Sequence, residues 1–247
     1  MKILALESSA TACSVALCED EKLIAQSYQN NGLTHSVTLM PMTTSLLSSC
    51  GLTLEDVDVI AVAAGPGSFT GLRIGVAAAK GLAWPGNKPC AACSTLESMA
   101  WNLAHTGLEI CAVMDARRHQ VYNARFASNG ERLERLTPDR AISLEELAAE
   151  LKISGKTQLL VGDGAVLCYT TLKEQGLDVR LAPPHLQFQS AWGVARCGME
   201  LALQGGLTDA AGLAPNYHRL SQAERERLAK EESKGESRHG YGKSTHS

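Results

Sequence analysis

The same order of secondary-structure patterns occurs twice along the chain, and this repetition constrains the fold more than any single motif. Each half opens with three short segments rich in strand-favouring residues, which indicate an antiparallel meander. Helical patterns then alternate with apolar runs typical of buried strands. The predicted strands cover 2–9, 12–18, 22–28, 57–64, 88–92, 109–115, 120–127, 132–136, 159–161 and 179–181, and the predicted helices 35–50, 70–84, 94 onward, 143–151, 165–175 and 190–204.

This order, βββαβαβα in each half, predicts an α/β fold of two lobes of the ribonuclease-H-like type, with a site in the crevice between them. The expected N-terminal lobe spans residues 1–105 and the C-terminal lobe 106–220. Residues 221–247 are rich in charge, and beyond a short predicted helix they lack apolar residues to bury. We expect this tail to be partly helical and otherwise disordered.

Composition excludes several function classes. The chain has 247 residues, 45% of them hydrophobic, and a formal net charge of −3. It has no apolar run of the ~20 residues that a membrane span needs, and we expect a cytoplasmic protein. An acidic balance makes it a poor candidate to hold RNA alone. The eight cysteines lie mostly among apolar residues and are expected to be reduced, and Cys90-x-x-Cys93 lacks the second pair of a zinc site.

The segment Gly65-Pro66-Gly67-Ser68-Phe69-Thr70-Gly71-Leu72-Arg73 follows a predicted strand and opens a predicted helix. Backbone N–H groups at such a place can hold an anion. The segment lacks the Lys of a Walker A loop, however, so phosphate binding stays open. The favoured alternative is structural: the glycines permit a tight turn, and Ser68 or Thr70 caps the helix.

Two carboxylates, Glu7 and Asp115, end equivalent strands of the two halves. Both would face the crevice, where such side chains hold a hydrated cation and phosphates in kinases and ATPases. Alternatively they are turn residues that pair with basic neighbours such as Arg117 or Arg118. Asp163, between two glycines, fits a turn or a helix cap better than catalysis. The candidate nucleotide cleft comprises Glu7, Asp115, Gly162 and Asp163.

Several motifs in combination resemble the TsaB (YeaZ-like) family of bacterial tRNA threonylcarbamoyladenosine proteins. They are ILALESS, GPGSFTGLRIG, CSTLESMAW, MDARR and PNY-x-R, and they span about residues 1–220. The resemblance implies an ASKHA (actin-like ATPase) fold and a role beside the paralogue TsaD and the ATPase TsaE. In that complex TsaD transfers the threonylcarbamoyl group to the adenosine next to the anticodon, and tRNA would be reached only through the complex.

The resemblance also implies that this chain is not the enzyme. TsaD-like sequences carry an H-x-x-x-H metal pair where this chain has Thr95 and Met99. Neither side chain replaces imidazole as a metal ligand. We therefore expect no catalytic residue, no metal and no cofactor, with weak nucleotide binding at the complex interface left open. Glu7 departs from the family, which more often has Asp there.

The resemblance implies that the helices at 35–50 and 70–84 contact the partner. Small residues on the second helix would let a partner helix approach closely, and a bulky residue at Gly75 is expected to block association without unfolding the chain. Alternatively this face packs only on its own sheet. In the absence of the partner we expect a homodimer. The predicted partner-binding residues are His35, Leu39, Met42, Leu46, Phe69, Leu72, Arg73, Gly75, Val76, Ala79 and Lys80.

Two competing functions remain. An ATP-dependent phosphotransferase would use Glu7 and Asp115 around a metal–nucleotide complex. A glycoprotease-type peptidase is the least favoured, because no H-E-x-x-H motif and no histidine pair at i,i+4 is present.

Overall fold

The computed structural model describes residues 1–117 and 120–217. The predicted tail at 221–247 lies outside these residues, as do Arg118 and the Arg219 of the last motif.

The first half builds a five-stranded sheet around two strands that are buried on both faces. Strands β1 (Lys2–Glu7), β2 (Cys13–Glu19) and β3 (Lys22–Gln29) form the antiparallel meander, and β4 (Val59–Gly65) and β5 (Cys90–Ser94) join it in parallel. The sheet order is β3-β2-β1-β4-β5. The side chains of β1 and β4 are almost all buried, which explains why these strands have continuous apolar sequences.

Two helices, α1 (His35–Ser49) and α2 (Phe69–Ala83), cover one face of this sheet. Ser68 caps α2, because its hydroxyl accepts a hydrogen bond from the Gly71 N–H at 3.4 Å. A third helix, α3 (Thr95–Trp101), starts at Ser94, whose hydroxyl accepts from the Glu97 N–H at 3.1 Å.

The second half repeats the plan with one strand more. Its elements are β6 (Glu109–Asp115), β7 (Gln120–Ser128), β8 (Leu133–Arg135), β9 (Arg140–Ser143), α4 (Leu144–Ser154), β10 (Gln158–Val161), α5 (Ala165–Glu174), β11 (Val179–Leu181) and α6 (Ala191–Leu203). The sheet order is β11-β10-β6-β7-β8, and β9 pairs with β7. The sequence did not predict β9, since Ile142 is its one buried hydrophobic residue. Otherwise the predicted two-lobed, duplicated α/β fold of the ASKHA type is confirmed.

The last helix of each half packs on the sheet of the other half. Helix α3 places Leu96 and Met99 in the core of the second sheet. Helix α6 places Val194 and Cys197 in a core formed with the first sheet. The boundary expected after residue 105 therefore divides the two sheets, whereas α3 and α6 cross it.

All eight cysteines are free thiols, and all but Cys50 are buried. Cys93 donates to the Val194 carbonyl oxygen at 3.4 Å, so this member of the C-x-x-C pair takes part in packing. No helix within the described residues is long and apolar enough to cross a bilayer.

Candidate functional site

The outer face of α1 is uncharged. None of the 15 residues of this helix is Asp, Glu, Lys or Arg. Its exposed positions include Val37, which is 63% accessible, and Met40, while Leu33 is exposed just before the helix. Solvent-facing helices ordinarily carry charged side chains on their outer side. This face of α1 therefore has the composition of a buried contact rather than of a solvated surface.

Helix α2 lies beside α1 and presents a line of exposed residues at Arg73, Ala77, Gly81 and Trp84. Their spacing of four, four and three places them on one side of the helix. A Cβ added at Gly81 would meet no atom within 4 Å, so the fold itself does not require glycine there. Trp84 ends the line and is 69% accessible. We call these residues, with Leu33, Val37 and Met40, the α1–α2 face.

Seven of the eleven predicted partner-binding residues belong to the core of the chain itself. An added Cβ at Gly75 would lie 2.5 Å from Ser8 Oγ and 3.3 Å from Val62 Cγ2, so the small size of this residue serves internal packing. A bulky residue there would disturb the fold, which corrects the expectation drawn from the sequence. The buried seven are Leu39, Met42, Leu46, Leu72, Gly75, Val76 and Ala79.

The other four predicted residues lie at the surface, and each contacts a neighbouring segment. The His35 Nε2 atom lies 2.6 Å from the Ala10 carbonyl oxygen, which ties the start of α1 to the β1–β2 turn. Phe69 stacks on the Tyr217 ring with the centroids 4.6 Å apart. Arg73 Nε donates to the Tyr217 hydroxyl at 3.0 Å, and Lys80 Nζ donates to the carbonyl oxygen of residue 211 at 3.3 Å.

These contacts place residues 211–217 along one side of α2, beside Phe69, Arg73 and Lys80. The Asn216 N–H donates to the Ala64 carbonyl oxygen at 2.7 Å, which holds the segment at the end of β4. The PNY motif is visible in the sequence, but its pattern does not place it at the surface. The spacing of the motif residues does not indicate that the Tyr217 ring lies beside Phe69.

The carboxylates of the candidate nucleotide cleft bond to their own turns. Glu7 Oε1 accepts from the Ser9 N–H at 2.6 Å, and Asp115 Oδ1 accepts from the Arg117 N–H at 2.6 Å. In each case the carboxylate accepts a hydrogen bond from the backbone N–H two residues later in the chain. The two turns lie at equivalent places in the two halves. The structure thus supports the turn alternative, and among the described residues the Arg117 N–H is the hydrogen-bond partner of Asp115 Oδ1.

Burial disfavours the charged form of two carboxyl groups in the cleft. It raises the pKa of Glu7 to about 7 and that of Asp163 to about 6, and the charge of Asp163 adds to the effect on Glu7. Glu7 Oε2 and Asp163 Oδ1 are buried without a hydrogen-bond partner. A fully buried, readily protonated carboxyl group is a poor ligand for a hydrated divalent cation.

The remaining residues near the cleft have packing roles. Gly162 has a φ of +113°, and an added Cβ would overlap the Val113 carbonyl oxygen. Met99 Cε approaches the same glycine, and both Met99 and Thr95 are inaccessible. Among residues 1–117 and 120–217, no group of three or more His, Cys, Asp or Glu side chains is placed to hold a metal ion.

The GPGSFTG loop packs against the β1–β2 turn. The Ser68 N–H donates to the Ser9 carbonyl oxygen at 2.7 Å. An added Cβ at Gly67 would overlap Ser9, and one at Gly71 would overlap Ser8. Glycine is required here because two backbone segments touch, which favours the structural alternative over an anion cradle.

Comparison with known proteins agrees with this architecture. The family model described as "TsaD: tRNA N6-adenosine threonylcarbamoyltransferase" matches residues 29–183. The "tRNA threonylcarbamoyladenosine biosynthesis protein TsaB" of Bacillus subtilis is 36% identical over 227 residues, which cover 91% of this chain and 96% of the relative. The protein of the same name from Escherichia coli is 33% identical, covering 73% and 79%.

Among solved structures, "YeaZ from Pseudomonas aeruginosa" superposes with a TM-score of 0.73 at 27% identity, covering 87% of this chain and 99% of that one. The match to the Bacillus subtilis relative over 91% of this chain and the superposition on YeaZ lead to one conclusion. The chain belongs to the TsaB (YeaZ-like) family.

Proposed function

We propose that the chain acts in tRNA threonylcarbamoyladenosine biosynthesis as a non-catalytic partner subunit of a TsaD-type transferase, in a cytoplasmic complex that also includes the ATPase TsaE. The observation that carries this proposal is the α1–α2 face, in which Arg73 is charged and the other six residues are not. tRNA is reached through the complex, because the chain alone has a net charge of −3.

The charge pattern of the sequence supports a protein contact at this face. Residues 23–54, which include α1 and most of β3, contain no Asp, Glu, Lys or Arg. Depletion of charged residues marks the centre of protein–protein interfaces, and tryptophan is among the residue types that carry most binding energy. Val37, Met40 and Trp84 supply exposed apolar area, while Ala77 and Gly81 leave room for the backbone of a partner helix.

The state of the cleft supports a non-catalytic role. Glu7 and Asp115 are engaged by Ser9 and Arg117. Thr95, at one of the places where TsaD-like sequences have histidine, is inaccessible. A phosphotransferase would need both carboxylates open to a metal–nucleotide complex. Asp115 is exposed, but Glu7 is fully buried and burial raises its pKa to about 7.

The same face accounts for the expected homodimer. An exposed apolar surface that has no partner tends to associate with a second copy. We therefore propose that the chain pairs with itself when alone and exchanges that contact for the TsaD-type subunit.

The test is co-purification with a TsaD-type paralogue expressed from the same cells. Gly81→Leu adds a branched side chain at an open position of the α1–α2 face and is expected to abolish the complex while the monomer stays folded. Gly81→Ala adds only a methyl group and should retain it. Ala149→Leu, at an exposed position of α4, is the matched control and should bind normally. Binding of Gly81→Leu at wild-type level would contradict the proposal.

A further inference from the structure

Four buried polar atoms at the junction of the two halves have no hydrogen-bond partner among the described residues. They are Glu7 Oε2, Asp163 Oδ1 and both amide atoms of Gln189. Glu7 and Gln189 are fully buried. Glu7 ends β1 of the first half, Asp163 follows β10 of the second, and Gln189 precedes α6. Buried polar atoms in native proteins are nearly always paired, so these four require an explanation.

The segment that leads into α6 connects the loop after β10 to the end of β1. At one end of this segment, the Gly162 N–H donates to the Gln187 carbonyl oxygen at 2.8 Å, and Gln187 Nε2 donates to the Gly162 carbonyl oxygen at 2.9 Å. At the other end, the Ala191 N–H donates to Ser14 Oγ at 3.1 Å. Ser14 is the cross-strand neighbour of Glu7, so both side chains lie on the same face of the first sheet.

Glu7 lies on the sheet face that α6 covers. Ile3 and Ala5 of the same strand pack in the core formed with α6, and the alternation of side chains along a strand places Glu7 on their side. Burial raises the pKa of Glu7 and the charge of Asp163 raises it further, so the two carboxyl groups lie within electrostatic range. Gln189 is the middle residue of the segment that joins them. The three side chains therefore form one buried cluster.

Hydrogen bonding within this cluster requires a proton. An ionised carboxylate accepts hydrogen bonds and donates none. With both carboxyl groups ionised, the Gln189 amide nitrogen would be the one donor among the four atoms, against three acceptors. A proton on either carboxyl group converts an acceptor into a donor. The other titratable groups that act on the pair in the described residues are Cys13 beside Glu7 and Asp115 beside Asp163, and neither supplies a positive charge.

We propose that Glu7 and Asp163 share one proton across the junction of the two halves, with the Gln189 amide completing their hydrogen bonds. The shared proton stabilises the closed junction. When it passes to water, two buried carboxylates repel each other, and the segment before α6 is held less firmly on the first sheet. The junction therefore loosens as the pH rises through neutrality. This proposal is independent of the proposed function.

Hydrogen exchange of the Gly162 and Ala191 amides tests the proposal, because both N–H groups donate across the junction. With a pKa for Glu7 that rises from the ordinary 4.5 to about 7, opening of these amides should increase about 30-fold between pH 5.5 and 8, after correction for the intrinsic pH dependence of exchange. Glu7→Gln and Asp163→Asn each put an amide donor into the pair and should abolish this increase. Glu174→Gln, at an exposed position of α5, is the matched control and should retain it.

A wild-type increase in Asp163→Asn would show that Glu7 titrates alone, and it would overturn the proposal, as would an increase that survives in Glu7→Gln. Circular dichroism checks that each variant is folded. If a variant does not fold, carbon-13 NMR of the carboxyl groups in the wild type decides the question. Each of the two resonances should respond to two titration steps, as coupled sites do, whereas a single independent step in each would refute the shared proton. None of these results depends on binding to a TsaD-type subunit, so their failure leaves the proposed function intact.

Discussion

Two glycines of α2, six residues apart, should respond in opposite directions to the same substitution. Gly75 faces the core and Gly81 faces solvent. Replacing glycine by alanine within a helix contributes up to about 1 kcal/mol of stability through propensity alone. At Gly81 that gain is unopposed, because the new methyl group would meet no atom within 4 Å.

At Gly75 the new methyl group would stand 2.5 Å from Ser8 Oγ. That hydroxyl donates to the Gly71 carbonyl oxygen at 2.9 Å in a buried setting. It must rotate to make room, and a buried hydroxyl that loses its partner costs about 1–3 kcal/mol. Crowding of Val62 adds to this cost. We therefore expect the free energy of unfolding of Gly75→Ala to be about 2–3 kcal/mol lower than that of Gly81→Ala.

Thermal unfolding measures this difference. For a chain of this size, 2–3 kcal/mol corresponds to a Tm difference of about 5–10 °C, and several protein concentrations separate it from self-association. Ser8→Ala removes the hydroxyl, so the double variant Ser8→Ala/Gly75→Ala should recover most of the loss. Equal melting temperatures for the two single variants, or no recovery in the double variant, would refute the packing argument.

Two further predictions concern pH. Burial raises the pKa of Glu7 to about 7, so its contribution to the stability of the folded state is complete below about pH 4.5 and is lost as the pH rises through 7. Glu7→Gln should therefore be more stable relative to the wild type at pH 8 than at pH 5. The same stability difference between variant and wild type in urea unfolding at both pH values would contradict this. Hydrogen bonds from Gln158, Lys156 and Arg125 lower the pKa of Glu109 to about 2, so its contribution to stability is complete above about pH 4.5 and is lost as the pH falls toward 2. Glu109→Gln should therefore have a lower free energy of unfolding than the wild type at pH 7. The difference should shrink near pH 2, as measured by fluorescence-monitored unfolding.

Most of the fold could be predicted because its signals are local. The uninterrupted apolar run at 57–64 marks β4, and the helix starts are marked by capping serines such as Ser68 and Ser143. Strand β9 could not be predicted because it is short and pairs with β7, which is not its neighbour in the chain. The packing of α3 and α6 on the sheet of the opposite half could not be predicted either. A helical pattern shows that one side of a helix is buried, but not which sheet buries it.

The candidate site was predictable only to the level of elements. The resemblance implied that α1 and α2 contact the partner, which stays a prediction. It assigned to that contact side chains such as Leu39 and Val76, which lie in the chain's own core. Hydrophobic residues on an amphipathic helix face inward by default. The lack of charge over residues 23–54, on which the proposed partner contact rests, can be read directly from the sequence.

The crossing of α3 and α6 makes the two halves depend on one another to fold. A first half released without α6 would leave one face of β1 and β4 without the apolar cover that Val194 and Cys197 provide. A nascent chain therefore cannot complete the core of its first sheet until Ala191–Leu203 has left the ribosome. We therefore expect the two halves of the duplicated architecture to unfold together, as a single cooperative unit.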